Sequence, residues 1–344
     1  MSLEVFTINQ AAEWDKIVKS FRNYDVYWLS GYVKAFQIHG DGKPLLFYHR
    51  DNNTRGINVV MQRNIDFYKS DNGEKYYDFA TPYGYGGWLI EGDNPELLFE
   101  EYEKWNKANN VVSEFVRFHP LIKNHEKCKD IYDVIQLGEV VHMNIENKAK
   151  IWDNITSKNR NMIRKAQKNN IHIKTAKNTE IFQTFKKIYN ETMDKDNADP
   201  YYYFSDFFYK SIEIDLSKNS TVFYAEKDEK IIAASIILNA NGRLNYHLSG
   251  SIRDYSTFAP TNLLLYEVAV WGQKNKYKTL FLGGGVGSTE DGLLKFKKSF
   301  NKGALNHFYI GKKIWNKEVY EEICKTVNAN NGSSFFPSYR ENIK

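Results

Sequence analysis

The densest chemistry in the sequence is LGGGVGSTEDGLLKFKKSF at positions 282–300. Gly283, Gly284, Gly285 and Gly287 follow a strand-like segment and precede a helical one, the place where backbone amides can cradle a phosphate. The run is not a dinucleotide fingerprint, because Ser288 stands where the third glycine belongs. Nor is it a P-loop, because no Gly-Lys-Ser/Thr follows. A flexible turn explains the glycines equally well. The helix after it, which Ser288 or Thr289 can cap, interleaves Leu293, Leu294, Phe296 and Phe300 with Lys295, Lys297 and Lys298. A lysine in a semi-apolar setting serves as an electrophile or a deprotonated base more readily than one in open water.

Two other stretches carry recognisable chemistry. In Ala149 to Asn169 the spacing predicts one amphipathic helix. Ile151, Trp152, Ile155, Met162, Ile163 and Ala166 fall within about 120° of one face, while Lys158, Arg160, Arg164, Lys165 and Lys168 occupy the other. Five cations on one face suit phosphates, and a merely solvated face has the same pattern. Asn169-Asn170 supplies the stop. The second stretch, DFATPYGYGGW at 78–88, combines glycines that permit close backbone approach with Tyr83 and Tyr85, whose flat rings suit a groove for a sugar or peptide. It also fits a buried aromatic corner. Cys128 and Cys324 make no disulfide framework, and His125-x-x-Cys128 has no second pair, so no metal is expected.

The elements that position these residues come as a repeat. Leu46-Phe47-Tyr48, a turn at Asp51–Asn53 and Gly56–Met61 match Val222-Phe223-Tyr224, a turn at Asp228–Lys230 and Ile231–Ile236, both read as antiparallel hairpins. A helix opening at Pro95, with Tyr102 and Trp105, leads to Phe115–Phe118. Its counterpart opens at Pro260, with Tyr266 and Trp271, and leads to Leu280–Leu282. The offset falls from 176 to 165 residues between these landmarks, which places about eleven extra residues in 64–79, where a loop absorbs them cheaply. The fold expected is α/β, with mixed sheets, helices on their faces and a helical crossover to each fourth strand. The boundaries expected are 1–148 for a first domain and 149–344 for a second, with 149–169 as the joining helix.

The 344 residues suit two domains, and their 42% apolar and 15% aromatic content excludes intrinsic disorder. The apolar stretches are too short to span a membrane, and the first residues lack the basic start and apolar run of a signal peptide. A cytoplasmic location is therefore expected. The net charge of +5 is unevenly spread. Residues 146–180 and 294–313 carry +6 each, leaving −7 on the rest of the chain. The basic charge is thus confined to the joining helix and the segment after the glycines.

Taken together, TPYGYGG (81–87), VRFHP (116–120), RNMIRKAQKN (160–169) and LGGG…GLLKFKKSF (282–300) resemble the Fem-type aminoacyl transferases of peptidoglycan interpeptide bridges. That family is built from two tandem GNAT-like domains. The resemblance implies an acyltransferase that moves an aminoacyl group from aminoacyl-tRNA to an amine of a peptidoglycan or cell-surface precursor. It also implies an acceptor groove in the first domain and donor binding in the second. Phe296-Lys297 matches the family's Phe-Lys pair, whose lysine sits near the reacting carbonyl. Tyr83, Tyr85, Arg117 and Tyr246 are then expected to bind substrate, and Arg160, Arg164, Lys165, Gly284, Gly285 and Lys295 to hold donor phosphates. The long helical arm of the larger bridge-forming members has no room here. The Gln/Arg-x-x-Gly-x-Gly/Ala loop of ordinary acetyltransferases is replaced by RDYSTFAP before Pro260.

Amide formation needs a neutral amine, an acceptor for its proton and donors for the tetrahedral oxyanion. Lys297 or a neighbouring backbone amide is the expected oxyanion partner, and Asp254 or His247 the expected proton acceptor. Strand alternation sets Tyr246 and His247 on opposite faces, so that only one lines the channel. No tightly bound cofactor is expected; aminoacyl-tRNA or acyl-CoA is the co-substrate. The partners expected are a phosphate-bearing cell-wall or sugar-nucleotide precursor and tRNA. An acyl-CoA-dependent acyltransferase acting on an amino sugar or sugar nucleotide is the second reading, and a non-catalytic RNA-binding module the third.

Overall fold

The computed structural model describes residues 3–70, 73–288, 290–330 and 333–341. The chain divides into two compact units, Met1–Leu137 with Phe308–Lys344, and Gly138–His307. This differs from the expected split at 148/149, because both crossings between units fall inside strands rather than in a linker.

The first unit runs β1 (Glu4–Thr7), α1 (Ala11–Ser20), α2 (Ser30–His39), β2 (Lys43–Arg50), β3 (Arg55–Asn64), β4 (Tyr77–Ala80), β5 (Leu89–Glu91), α3 (Glu96–Ala108) and β6 (Val111–Arg117). The β2–β3 hairpin closes on Asp51, whose Oδ1 accepts from the backbone N–H groups of Asn53 and Thr54, both at 2.7 Å, an Asx turn. Eleven extra residues expected between the repeat landmarks correspond to the β3–β4 connection, which is two residues long between the equivalent strands of the second unit. The α3 crossover returns β6 parallel to β4. Trp88, Phe47, Phe79, Tyr102, Val116 and Phe118 fill the core. Within it lies a carboxyl group: Glu114, 1% exposed, accepts from Asn58 Nδ2 at 3.1 Å and the Tyr102 hydroxyl at 3.0 Å. Burial, set against hydrogen bonds from Tyr132, Asn58, Tyr102 and Trp315, pushes this carboxyl up to about 7.

The chain passes into the second unit along β7 (Asp133–Asn144). It continues through α4 (Lys148–Asn154), α5 (Ser157–Lys168), β8 (His172–Ala176), α6 (Thr179–Lys195), α7 (Asp206–Asp215), β9 (Ser220–Lys227), β10 (Lys230–Ala240), β11 (Arg243–Ser251), α8 (Pro260–Lys274), β12 (Thr279–Gly283) and α9 (Gly292–Lys298). It leaves along β13 (Asn306–Ile314) and ends in the first unit with α10 (Lys317–Thr326). The first unit's sheet has the order β1-β2-β3-β4-β6-β13 with β5 on β3, and the second unit's sheet β7-β12-β11-β10-β9-β8. Asp228 and Glu229, and then Asn241 and Gly242, have positive φ in two-residue turns, the geometry that closes twisted hairpins. Apolar α8 lies on the second sheet, with Leu263, Leu264, Val268 and Ala269 packed against Val141, Phe223, Ile237 and Leu280.

The single joining helix expected over 149–169 is two helices. Asn147 caps α4 and Thr156 caps α5 through their side-chain oxygens, and Ile155 between them is extended and buried. A cap-forming Thr beside a β-branched residue stops the first helix where the apolar periodicity alone continues. The stop at Asn169-Asn170 holds, with Asn170 in the left-handed region. Among the described residues no helix is long and apolar enough to cross a membrane.

Candidate active site

β11 and β12 are parallel and pair only over Arg243–Asn245 and Thr279–Phe281. Beyond that point β11 stays bonded to β10 as far as Ser251, and β12 stays bonded to β7 at Gly283. The two strands are therefore held from their outer sides and part on their inner ones. Lys297 of α9 reaches the residues that border this parting. Its Nζ donates to the Gly284 carbonyl at 2.7 Å and lies 5.9 Å from the centre of the Tyr246 ring. The residue is 8% exposed. Burial brings its amine down to about 8, against the opposing pull of Asp291. The hydroxyl of Tyr246 bonds with Ser249 and Ser235, which are themselves joined at 2.8 Å. Gly284 is required here, because a Cβ would stand 2.9 Å from the Glu139 carbonyl oxygen.

The other two lysines of α9 differ. Lys298 pairs with Glu139 at 2.7 Å and Glu290 at 3.1 Å, and Lys295 is exposed. The cap of α9 is neither Ser288 nor Thr289, which lies outside the described residues; it is Asp291, whose Oδ1 accepts from Leu294 N–H at 2.7 Å. Gly285 lies in the turn between β12 and α9.

The two expected proton acceptors fare less well. Asp254 is exposed on a 3₁₀ turn, Arg253–Phe258, and among the described residues no ion pair or hydrogen bond joins it to Lys297. His247 is the extra residue of a bulge: Ile236 pairs with Leu248 and Ile237 with Tyr246. A bulge breaks strict alternation, so the expected opposition of Tyr246 and His247 does not follow from the pleat. Burial drives the His247 imidazole down to about 3, which makes it a weak base at neutral pH.

The first unit has an equivalent parallel pair, but there the segment after the first strand rejoins the second, with Gly86 bridged to Phe118. β4 and β6 are parallel and paired over Tyr77–Ala80 and Val111–Phe115, and the TPYGYGG segment follows β4 as the pair ends. Tyr83 stacks on Phe36 at 5.5 Å. Tyr85 meets Tyr27 edge-on at 5.4 Å and Phe308 at 5.6 Å. Arg117 donates from Nε to the Gly84 carbonyl at 3.0 Å, with its guanidinium 5.2 Å from the Phe308 ring. Among the described residues Arg117 has no carboxylate partner. Beneath it the fully buried His119 and Asp25 meet at 3.2 Å. The segment is thus an aromatic corner, as one of its two readings expected, with the Arg117 guanidinium bonded to its Gly84 carbonyl. Gly84 has φ +92°, and a Cβ there would stand 2.7 Å from a Tyr27 ring carbon. Gly84→Ala should cost about 2 kcal/mol, seen as a lower urea midpoint with an unchanged slope.

On α5, Ile163 and Ala166 are buried against α8. Among the described residues Arg160 and Arg164 bond only to Ser157 and Asn161 on their own helix, and Arg164 lies 5.1 Å over the Trp152 ring. Among the described residues Lys158, Arg160, Arg164, Lys165 and Lys168 have no acidic partner. A basic face with no internal counterions is available to an external polyanion.

Residues 96–267, half of the chain, match the FemAB-like family, described as peptidoglycan biosynthesis/recognition. The chain belongs to the FemAB-like family. Its fold agrees with that of FemX, with a TM-score of 0.69 at 14% identity over 93% of this chain and 99% of that one. L-PGS from Bacillus licheniformis gives 0.58 at 13% identity over 92% and 95% of the two chains. A conserved protein of unknown function from Bacteroides thetaiotaomicron VPI-5482 gives 0.58 at 13% identity over 90% and 99%. At such identities the likeness is one of fold. No curated protein matches the chain.

In this FemAB-like chain Asp291, Ser235 and Ser249 touch the site without having been singled out from the sequence. Asp291 was legible, since an acidic residue three positions before the buried Leu294 is an N-cap signal. The serines were not, because only the β10–β11 register brings them together. Cys128 and Cys324 are free and buried. Among the described residues no group of three or more His, Cys, Asp or Glu is placed to hold a metal.

Proposed function

We propose that this FemAB-like chain is an acyltransferase that forms an amide bond, moving an aminoacyl group from aminoacyl-tRNA to an amine of a peptidoglycan or other cell-surface precursor. One observation carries the reading: a buried lysine reaches the residues bordering the point where the parallel strands β11 and β12 part. With its amine at about 8, Lys297 is mainly an ammonium at pH 7. It can donate to the oxyanion that forms when the acceptor nitrogen adds to the ester carbonyl. The C–O bond to the ribose then breaks, the amide carbonyl re-forms, and the proton shed by the amine ends on the departing oxygen. The arrangement of Tyr83, Tyr85 and Arg117 supports an acceptor that has an apolar or sugar face and an anionic group.

The choice of tRNA over coenzyme A is supported by two features of the second unit. The backbone before α8 is a 3₁₀ turn ending at Ala259 in the left-handed region, where ordinary acetyltransferases keep a glycine-rich pyrophosphate loop. The face of α5 instead supplies cations that have no acidic partner among the described residues. The test is to incubate the protein with charged tRNA or with an acyl-CoA and a muramyl-peptide amine, and to follow acceptor-dependent loss of each donor. Loss of thioester alone would move the reading to the CoA-dependent class. RNA binding with neither donor consumed would leave only an RNA-binding module. Replacing Arg160, Arg164 and Lys165 together by Ala should weaken tRNA binding and lower the slope of log affinity against log salt by about 2 to 3, measured by filter binding.

A further inference from the structure

We propose that Asp291 is a positioning residue for Lys297, tying the glycine turn after β12 to the first turn of α9 so that the lysine is held as a cation at the Gly284 carbonyl. The inference rests on Lys297 acting as proposed above. α9 has seven residues, too few to hold a shape by helix propensity, so its placement must come from contacts at its ends. Asp291 supplies two. Oδ1 accepts from Leu294 N–H at 2.7 Å inside the helix, and Oδ2 accepts from Val286 N–H at 2.8 Å in the turn. Val286 lies two residues past Gly284, whose carbonyl receives Lys297 Nζ. Strand end, turn, carboxylate, helix and lysine thus form a closed ring of contacts, in which the carboxylate joins turn to helix and the ammonium joins helix to strand end.

The same carboxylate acts on the lysine's charge. Burial lowers the Lys297 amine, and Asp291 is the group that opposes it. Asp291 is itself held ionised: burial works against its charge, but the N–H groups of Leu294 and Val286 and the nearby Lys297 outweigh it, so its carboxyl lies below the usual range. Among the described residues Tyr246 on β11 also faces Lys297, and burial pushes its hydroxyl up. The nearby acids Glu139 on β7 and Glu290 in the turn engage Lys298.

Charge and capping separate by substitution. Asn and Ser are good N-caps, so Asp291→Asn and Asp291→Ser keep the helix start while removing the charge. The Lys297 titration is to be followed by NMR of isotopically labelled lysine, assigned with Lys297→Met, alongside the pH profile of kcat/KM for transfer. Both variants should lower the Lys297 midpoint by about one pH unit, and the alkaline limb of the profile should fall with it. Faster amide exchange at Val286 in both variants, with Leu294 still protected, would support the tether. An unmoved Lys297 midpoint in both overturns the inference, whatever the activity. A lowered midpoint with an unmoved profile leaves Asp291 in its positioning role and removes Lys297 from the reaction.

Discussion

Lys297→Met is expected to lower kcat for acyl transfer by about 10²- to 10³-fold, the size of loss that follows removal of an oxyanion donor, while the protein stays folded. Methionine keeps the unbranched stem that packs in this site and discards a cation that burial disfavours. The amine falls from 10.5 unfolded to about 8 folded. Below pH 8 both states hold the proton and the folded state carries the full cost of the buried charge. Between pH 8 and 10.5 the unfolded chain binds more protons, so wild-type stability from this group rises with pH, by on the order of 3 kcal/mol. Less the hydrogen bond to Gly284, worth about 1 kcal/mol, the Met variant should be more stable at pH 7 by about 2 kcal/mol, and that advantage should vanish by pH 10.5. Urea midpoints at the two pH values check it. Wild-type turnover in Lys297→Met would take the lysine out of the mechanism.

Glu114→Gln should have a large pH-dependent effect on stability. The carboxyl rises from 4.5 unfolded to about 7 in the core of the first unit. Its stabilising contribution is complete below pH 4.5 and is lost as pH rises through 7, because the folded state retains a proton that the unfolded chain releases. The span is on the order of 3 kcal/mol. A neutral Gln keeps the carbonyl acceptor for Asn58 and removes the ionisation. The variant should therefore gain stability over wild type at pH 8 and lose that gain at pH 4.5. A wild-type-like dependence of the melting temperature on pH in Glu114→Gln would show that another group sets it.

Much of the scaffold was legible because it rests on local rules. The two hairpins, the proline-opened helices and the parallel fourth strands follow from alternation, turn residues and the repeat, and each forms where its pattern lies. The glycine turn and Lys297 were legible too, since both belong to one short segment. What failed depended on register or on competition between local signals. Thr156 divides the joining helix because its side chain caps a backbone N–H, a preference that apolar periodicity does not see. The pairing of β10 with β11 slips by one residue at His247, so that a parity argument built on a regular strand no longer applies there. The exposure of Asp254 depends on how the 3₁₀ turn before α8 is laid down, and no spacing in RDYSTFAP states it. The unit boundary was hidden for another reason: a strand that begins in one unit and ends in the other has no compositional seam.

That shared-strand connectivity governs the order in which the molecule can be completed. The second unit is an insert, and its last residue, His307, is synthesised before the first unit receives β13 and α10. Domains fold as units while the chain emerges, so the unit that starts second is the one able to finish first. Until β13 arrives, β6 offers an open edge, with the backbone groups of Ser113–Arg117 unpaired on that side, the kind of edge that invites aggregation. Phe308, which closes over Tyr85 and Arg117, is delivered by the same late segment. The aromatic corner of the first unit is therefore completed only after the whole second unit, lysine centre included, has been synthesised.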